Sequence, residues 1–206
     1  MAESADIVAY LYKNYARYTP PSELLQWTSN YVMKLFKPVF AWEAPLQAGL
    51  YKTGTSTTTG SFNEALQKAK DDIRAAIAAD PVVVYTYDWS PFSTETLKLL
   101  DILGIQYRKI SLGKEWIPGL INEGGSETRA ALLEMTGQSS LPNIFIGGES
   151  IGGLYGGSPG LLALLEQGTL SEKVEDAKEK SVVAKEPPSV VIGNKRIVLP
   201  RGKALK

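Results

Sequence analysis

Ser90 and Ser93 are the residues of this chain whose spacing first invites a chemical reading. They lie in Asp88-Trp-Ser-Pro-Phe-Ser93, directly after the apolar run Val82-Val-Val-Tyr-Thr-Tyr87. A buried strand ending in a tight turn, with Pro91 at the first position of a following helix, delivers position 90 to that helix's amino end. Free backbone N–H groups and the helix dipole favour negative charge there. A cysteine at 90 would have its thiolate stabilised by that field and become a nucleophile. A serine hydroxyl is far less acidic and needs an adjacent base. The 206 residues hold no histidine and no cysteine, so the usual neutral-pH base is missing and the expected role of Ser90 is to cap the helix. The same position stays open to an anionic ligand.

The rest of the composition narrows the chemistry further. Without cysteine there are no disulfides, no iron–sulfur ligation and no thiol catalysis, and without histidine the commonest metal ligand is gone, so no metal site is expected. Natural loss of cysteine and replacement of cysteine by serine both remain open. Carboxylates, tyrosines, lysines or a bound cofactor must carry any reaction. The apolar fraction is 44%, enough for a core, and 22 basic residues balance 22 acidic ones, which argues against bulk attraction to nucleic acid or an anionic membrane. The balance is uneven locally: 81–169 carries nine acids and five bases, whereas Lys195, Arg196, Arg201, Lys203 and Lys206 meet no acid in 187–206. No run of about 18 apolar residues exists, so no bilayer span is expected. The acidic start, Met1-Ala-Glu-Ser-Ala-Asp6, lacks signal- and transit-peptide patterning. A reducing intracellular compartment, cytosol or plastid, is the expected setting.

The elements that must position the serines follow from periodicity. Helices are expected from Ser4 to about Tyr15 and from Ser22 through Leu35, giving a helical extension over 1–36. An irregular linker over 37–60 follows, ending in the low-complexity Thr53-Gly-Thr-Ser-Thr-Thr-Thr-Gly60. Ser61-x-x-Glu64 has the form of a capping box, and Phe62, Leu66, Ala69, Ile73 and Ile77 predict a helix over 62–79. A strand at 82–87, a helix at 91–103, a strand at 105–111 and a helix at 126–135 come next. A hairpin of 143–146 with 150–151 through Gly147-Gly148, and a helix at 159–167, complete a domain over 61–170. The order β-α-β-α-β-β-α, whose first two strands are joined by a helical crossover, is that of the thioredoxin fold, an α/β class. The charged tail over 171–206 starts with 171–180, read as a solvated helix or disordered segment. A hairpin over 190–199 is expected to turn at Gly193-Asn194.

The Ser90–Ser93 turn resembles the active-site segment of the glutaredoxin family, where it reads Cys-Pro-Tyr/Phe-Cys or Cys-Pro-Phe/Tyr-Ser. Ser140-Leu141-Pro142 is similar to that family's Thr-Val-Pro. The likeness implies a cis Leu141–Pro142 peptide, with the Leu141 backbone opposite position 90, where an extended peptide such as glutathione could pair. An ordinary proline at a strand start is the alternative. Gly152-Gly153 matches the family's Gly-Gly, whose following backbone and aspartate hold the γ-glutamyl end of glutathione. Here Leu154 and Tyr155 follow, with no aspartate before Pro159. The resemblance spans about 64–170. It implies Ser90 and Ser93 at the catalytic positions, and glutathione contacts from Tyr87, Trp89, Pro91, Phe92, Gln138, Leu141, Pro142, Gly152, Gly153, Leu154 and Tyr155. The basic residue that precedes the family's cysteine is missing, and Gln138-Ser139 lacks a common arginine. Each lost charge partner would weaken binding by about 1–3 kcal/mol where solvent is excluded.

A shorter stretch, Glu3-Ser-Ala-Asp-Ile-Val-Ala-Tyr-Leu11, resembles the end of the thioredoxin-like domain of glutathione S-transferases, where Glu-Ser holds the γ-glutamyl group. It implies a chain that is the C-terminal part of a longer protein; an amphipathic helix capped by Ser4 is the alternative. The family resemblance implies a glutathione-dependent thiol–disulfide oxidoreductase acting on glutathione or a glutathionylated protein, redox-inactive as written for want of sulfur. The alternatives are a non-catalytic glutathione-binding or interaction module, and an assembly subunit whose two ends wrap a neighbouring protein.

Overall fold

A computed structural model describes residues 59–115, 120–185, 189–192 and 195–198. The expected helices within 1–36, the transferase-like stretch at 3–11 and most of the 37–60 linker lie outside these residues. Helix α1 (Thr59–Ala79) leads into strand β1 (Val82–Thr86), helix α2 (Pro91–Ile102) and strand β2 (Arg108–Ser111). Helix α3 (Gly125–Thr136), the hairpin β3 (Asn143–Ile146) and β4 (Glu149–Gly152), and helices α4 (Leu161–Glu166) and α5 (Leu170–Lys185) follow. Strands β5 (Ser189–Ile192) and β6 (Lys195–Val198) pair only with each other, on either side of Gly193-Asn194, which lies outside the described residues.

The main sheet has the order β2-β1-β3-β4, with β1 parallel to β2 and antiparallel to β3. Its register pairs Val84 with Lys109 on one side and with Ile144 on the other. Every residue of β1 is buried because helices cover both faces, which explains its lack of alternation. Val82 and Val84 enter an apolar layer with Leu99 and Leu100 of α2, Leu161 and Leu164 of α4, and Val174 and Ala177 of α5. Val83 and Tyr85 enter the opposite layer with Ile73 of α1, Leu132 of α3 and Phe145 of β3. The result is a three-layer thioredoxin-like α/β fold. Among the described residues no helix is long and apolar enough to cross a membrane.

Where boundaries differ from expectation, a hydrogen bond accounts for most of the change. Helix α1 begins at Thr59, inside the expected linker, so Ser61 lies within its first turn and not ahead of it. Ile105 does not open β2, because its N–H bonds back to the Leu100 carbonyl at 3.0 Å as part of the α2 exit. Helix α4 starts at Leu161 rather than Pro159: the Leu161 and Leu162 N–H groups donate to Gly153 and Leu154, and Gly160 sits at φ 98°. The largest correction concerns 171–180. This segment belongs to α5, whose Leu170, Val174 and Ala177 are buried at helical spacing, so it is neither solvated all round nor disordered. That stripe is narrow, and the charges on either side of it hid it from a periodicity argument. Putting a charge on it with Val174→Asp should destabilise the protein by at least about 2 kcal/mol in chemical denaturation. Asp176→Ala, on the exposed face, should stay within about 0.5 kcal/mol.

Candidate functional site

At the end of β1 the chain must turn without leaving buried amides bare, and two hydroxyls accomplish this. Ser90 is the N-cap of α2, and its Oγ accepts the Ser93 N–H at 3.3 Å. The Ser93 Oγ in turn accepts the Tyr87 N–H at 3.3 Å. The Ser90 carbonyl receives both the Thr94 N–H (3.0 Å) and its hydroxyl (3.1 Å). Asp88 and Trp89 donate their N–H groups to Gly113 and Lys114, fastening the turn to the segment after β2. Ser90 is 7% exposed and Ser93 1%, so both hydroxyls face inward.

Around this cap the surface is aromatic. Trp89 is 61% exposed, with the Lys114 ammonium 5.4 Å from its ring centre. Phe92 meets Tyr155 edge-on, with ring centres 6.3 Å apart. Burial pushes the Tyr155 phenol up to about 12, helped by the negative charge of Glu95, and its hydroxyl has no hydrogen-bond partner. Beside the turn the Lys109 ammonium donates to the Asp88 carboxylate at 2.8 Å and the Ser111 hydroxyl at 2.9 Å. These bonds, the Lys109 contact foremost, hold the Asp88 carboxyl below its ordinary value.

The second wall is the loop before β3. The Leu141–Pro142 peptide is cis. Tyr85 pairs with Asn143, so the antiparallel register, continued outward, sets Pro142 beside Thr86 and Leu141 beside Tyr87. Asn143 is wholly buried and braces this loop: its amide donates to the Thr136 Oγ at 3.0 Å, and its oxygen accepts the Ser150 hydroxyl at 2.9 Å. Gln138 donates its side-chain amide to the Ser140 and Pro142 carbonyls, at 2.9 and 3.1 Å. The buried Arg129 donates its Nε to the Ser139 carbonyl at 3.1 Å.

The third wall is the glycine-rich stretch after β4. Gly152 and Gly157 approach so closely that a Cβ on Gly152 would lie 2.4 Å from the Gly157 Cα. A Cβ on Gly153 would meet the Pro142 carbonyl at 3.1 Å, which joins this wall to the second.

Of the residues expected at a ligand site, Ser90, Pro91, Phe92 and Tyr155 meet around the turn, and Leu141, Pro142 and Gly153 adjoin through the two loops. Trp89 stands outward beside Lys114. The side chains of Tyr87 and Leu154 face the two core layers instead, at 4% and 2% exposure, so only their backbones can serve a ligand. Gln138 is engaged with loop carbonyls. The Gly153 N–H donates to the Gly156 carbonyl at 2.7 Å, and the Gly152 N–H donates to the Ser150 hydroxyl. Sequence reasoning missed Asn143, Arg129 and Lys114. A polar residue opening an apolar strand, and an arginine beside Ala130-Ala131-Leu132, were the signals for the first two; nothing local marked Lys114. Among the described residues no group of acidic side chains could hold a metal ion.

Two outcomes follow. Removing the buried brace with Asn143→Ala should cost about 1–3 kcal/mol in denaturant unfolding, because Ser150 and Thr136 each lose a partner. Asp88, with its pKa lowered from 3.8, contributes stability that is present above that value and lost as pH falls through the lower, folded-state value. Lys109→Met should therefore move the Asp88 titration upward by NMR and shrink that acid-labile contribution.

Residues 82–151 match the family model described as glutaredoxin. A glutaredoxin of Ricinus communis is 39% identical over 89 residues, which cover 43% of this chain and 76% of the relative. Glutaredoxin-C6 of Oryza sativa subsp. japonica is 42% identical over 89 residues, covering 43% of this chain and 70% of the relative. Among solved structures, a buckwheat glutaredoxin–glutathione complex superposes with a TM-score of 0.47 at 30% identity, over 59% of this chain and 97% of that one. With its parallel β1–β2 pair, its cap at Ser90 and these sequence relatives, the chain belongs to the glutaredoxin family.

Proposed function

We propose that this chain is a glutaredoxin-type scaffold whose ligand is glutathione or a glutathionylated protein, held in extended form against the Leu141 backbone. As written it is silent in thiol–disulfide exchange. The observation that carries this reading is the position of Ser90 at the amino end of α2, beside Phe92 and across from the loop of the cis Leu141–Pro142 peptide. A helix start stabilises a thiolate, and none of the 206 residues supplies one. The serine at this point makes a cap, and the chain has no histidine to act as its base.

With sulfur at position 90 the reaction would proceed in two balanced steps. The thiolate attacks the glutathione sulfur of a mixed disulfide, and the substrate leaves as a thiol. A glutathione thiolate then attacks the resulting protein–glutathione disulfide, releasing oxidised glutathione and restoring the thiolate.

A second reading, a non-catalytic interaction module, is favoured by the glycine-rich wall, whose Gly152 and Gly153 donors are already bonded within the chain. One paired experiment separates the two. Ser90→Cys should acquire a thiol pKa below about 8.5 and catalyse glutathione-dependent reduction of a glutathionylated peptide, while the parent chain shows no turnover. A normal or raised thiol pKa without turnover would leave the interaction module.

A further inference from the structure

Resting on the reading of the groove as a site for a glutathione-like peptide, we infer that Tyr155 decides which end of such a peptide the protein accepts, excluding the γ-glutamyl residue. Tyr155 follows the Gly152-Gly153 pair, where the resemblance places the groups that hold that residue. Its ring meets Phe92 edge-on at 6.3 Å, so one side chain joins the amino end of α2 to the glycine-rich wall. The phenol oxygen lies out of solvent without a partner, so the ring is inserted and does not present its hydroxyl to an incoming group.

The backbone narrows where such a residue could be held. A γ-glutamyl end carries an ammonium and a carboxylate, and the carboxylate needs free N–H donors. The Gly152 donor is taken by Ser150, that of Gly153 by Gly156, those of Ser158 and Gly160 by Ile151, and those of Leu161 and Leu162 by Gly153 and Leu154, which leaves the N–H groups of Leu154 to Gly157, at and beside Tyr155, to meet a carboxylate. The side chain of Leu154 is buried in the core. Glu95 is the carboxylate whose negative charge acts on the Tyr155 phenol, and it repels a second one. Ligand selection then falls to the cysteinylglycine half, which reaches Leu141, and the fitting class is an extended peptide with an apolar group at the Phe92 end.

The test titrates the full chain with glutathione and, separately, with cysteinylglycine, the same peptide lacking the γ-glutamyl residue, following backbone amides by NMR. The parent chain and Tyr155→Phe should bind the two peptides within about twofold of each other. Tyr155→Ala should bind glutathione at least about tenfold more tightly while cysteinylglycine changes less than about twofold. Tyr155→Ser takes its place if the alanine chain fails to give a folded spectrum. A parent chain that prefers glutathione by about tenfold or more, or an alanine chain without gain, overturns the inference. Shifts at Leu141 in the parent chain would keep the groove reading even then. No shift with either peptide in any of the chains would remove both together.

Discussion

A strand that stops inside a protein leaves its next amides facing an apolar interior, and burying an unpaired amide costs more than most single contacts return. Everything near the site depends on how this chain solves that problem between Tyr87 and Thr94. Three donors are met by the chain's own turn: Ser90 Oγ takes the Ser93 amide, Ser93 Oγ the Tyr87 amide, and the Tyr87 carbonyl the Ser90 amide. Two more go to the Gly113 and Lys114 carbonyls, which ties the segment after β2 to the start of α2. The serines therefore have a structural task independent of any reaction. A hydroxyl is a better hydrogen-bond acceptor than a thiol, so this arrangement favours the cap at the expense of nucleophilicity.

The same logic governs the facing loop. A cis peptide at Leu141–Pro142 turns the chain sharply before β3, and the carbonyls around it need donors. Gln138 supplies the Ser140 and Pro142 carbonyls, Arg129 that of Ser139 and Asn143 that of Gln138, from side chains that are buried or half-buried, and Ser150 extends the network to β4. Polar side chains placed this deep are tolerated because each is paired, and the pairing fixes the backbone of Leu141 relative to the sheet.

Much of the fold was legible because its signals are local. Val82–Thr86 could only be a covered strand, Pro91 could only start a helix, and Gly147-Gly148, at φ 61° and 85°, form the tight turn their sequence advertises. The buried stripe of helix α5 was not legible, since three apolar residues among many charges acquire meaning only when β3 and α4 are there to receive them. Within the site, the Ser90 cap follows from type and spacing, and the Leu141–Pro142 loop from the resemblance of Ser140-Leu141-Pro142 to the family's triplet. The self-bonded glycine wall and the inward rings of Tyr87 and Tyr155 do not, because they depend on which donors the folded backbone leaves unmet. Lys114 reaches Trp89 across 25 residues of sequence, through the pairing of β1 with β2 and the bond from the Trp89 amide.

Helix α5 bears on how this polypeptide can be divided. Its Ala177 lies against the β3–β4 turn, where a methyl on Gly147 would sit 3.3 Å from the Ala177 Cβ, and its Lys173 bonds to Glu149 at 2.8 Å. A shortened chain ending at Leu170 would bare the apolar layer that Val174 and Ala177 complete and leave a greasy surface prone to self-association. The natural place to cut for expression of an isolated unit is beyond Lys185, where that helix ends, well past the residues that match the family model.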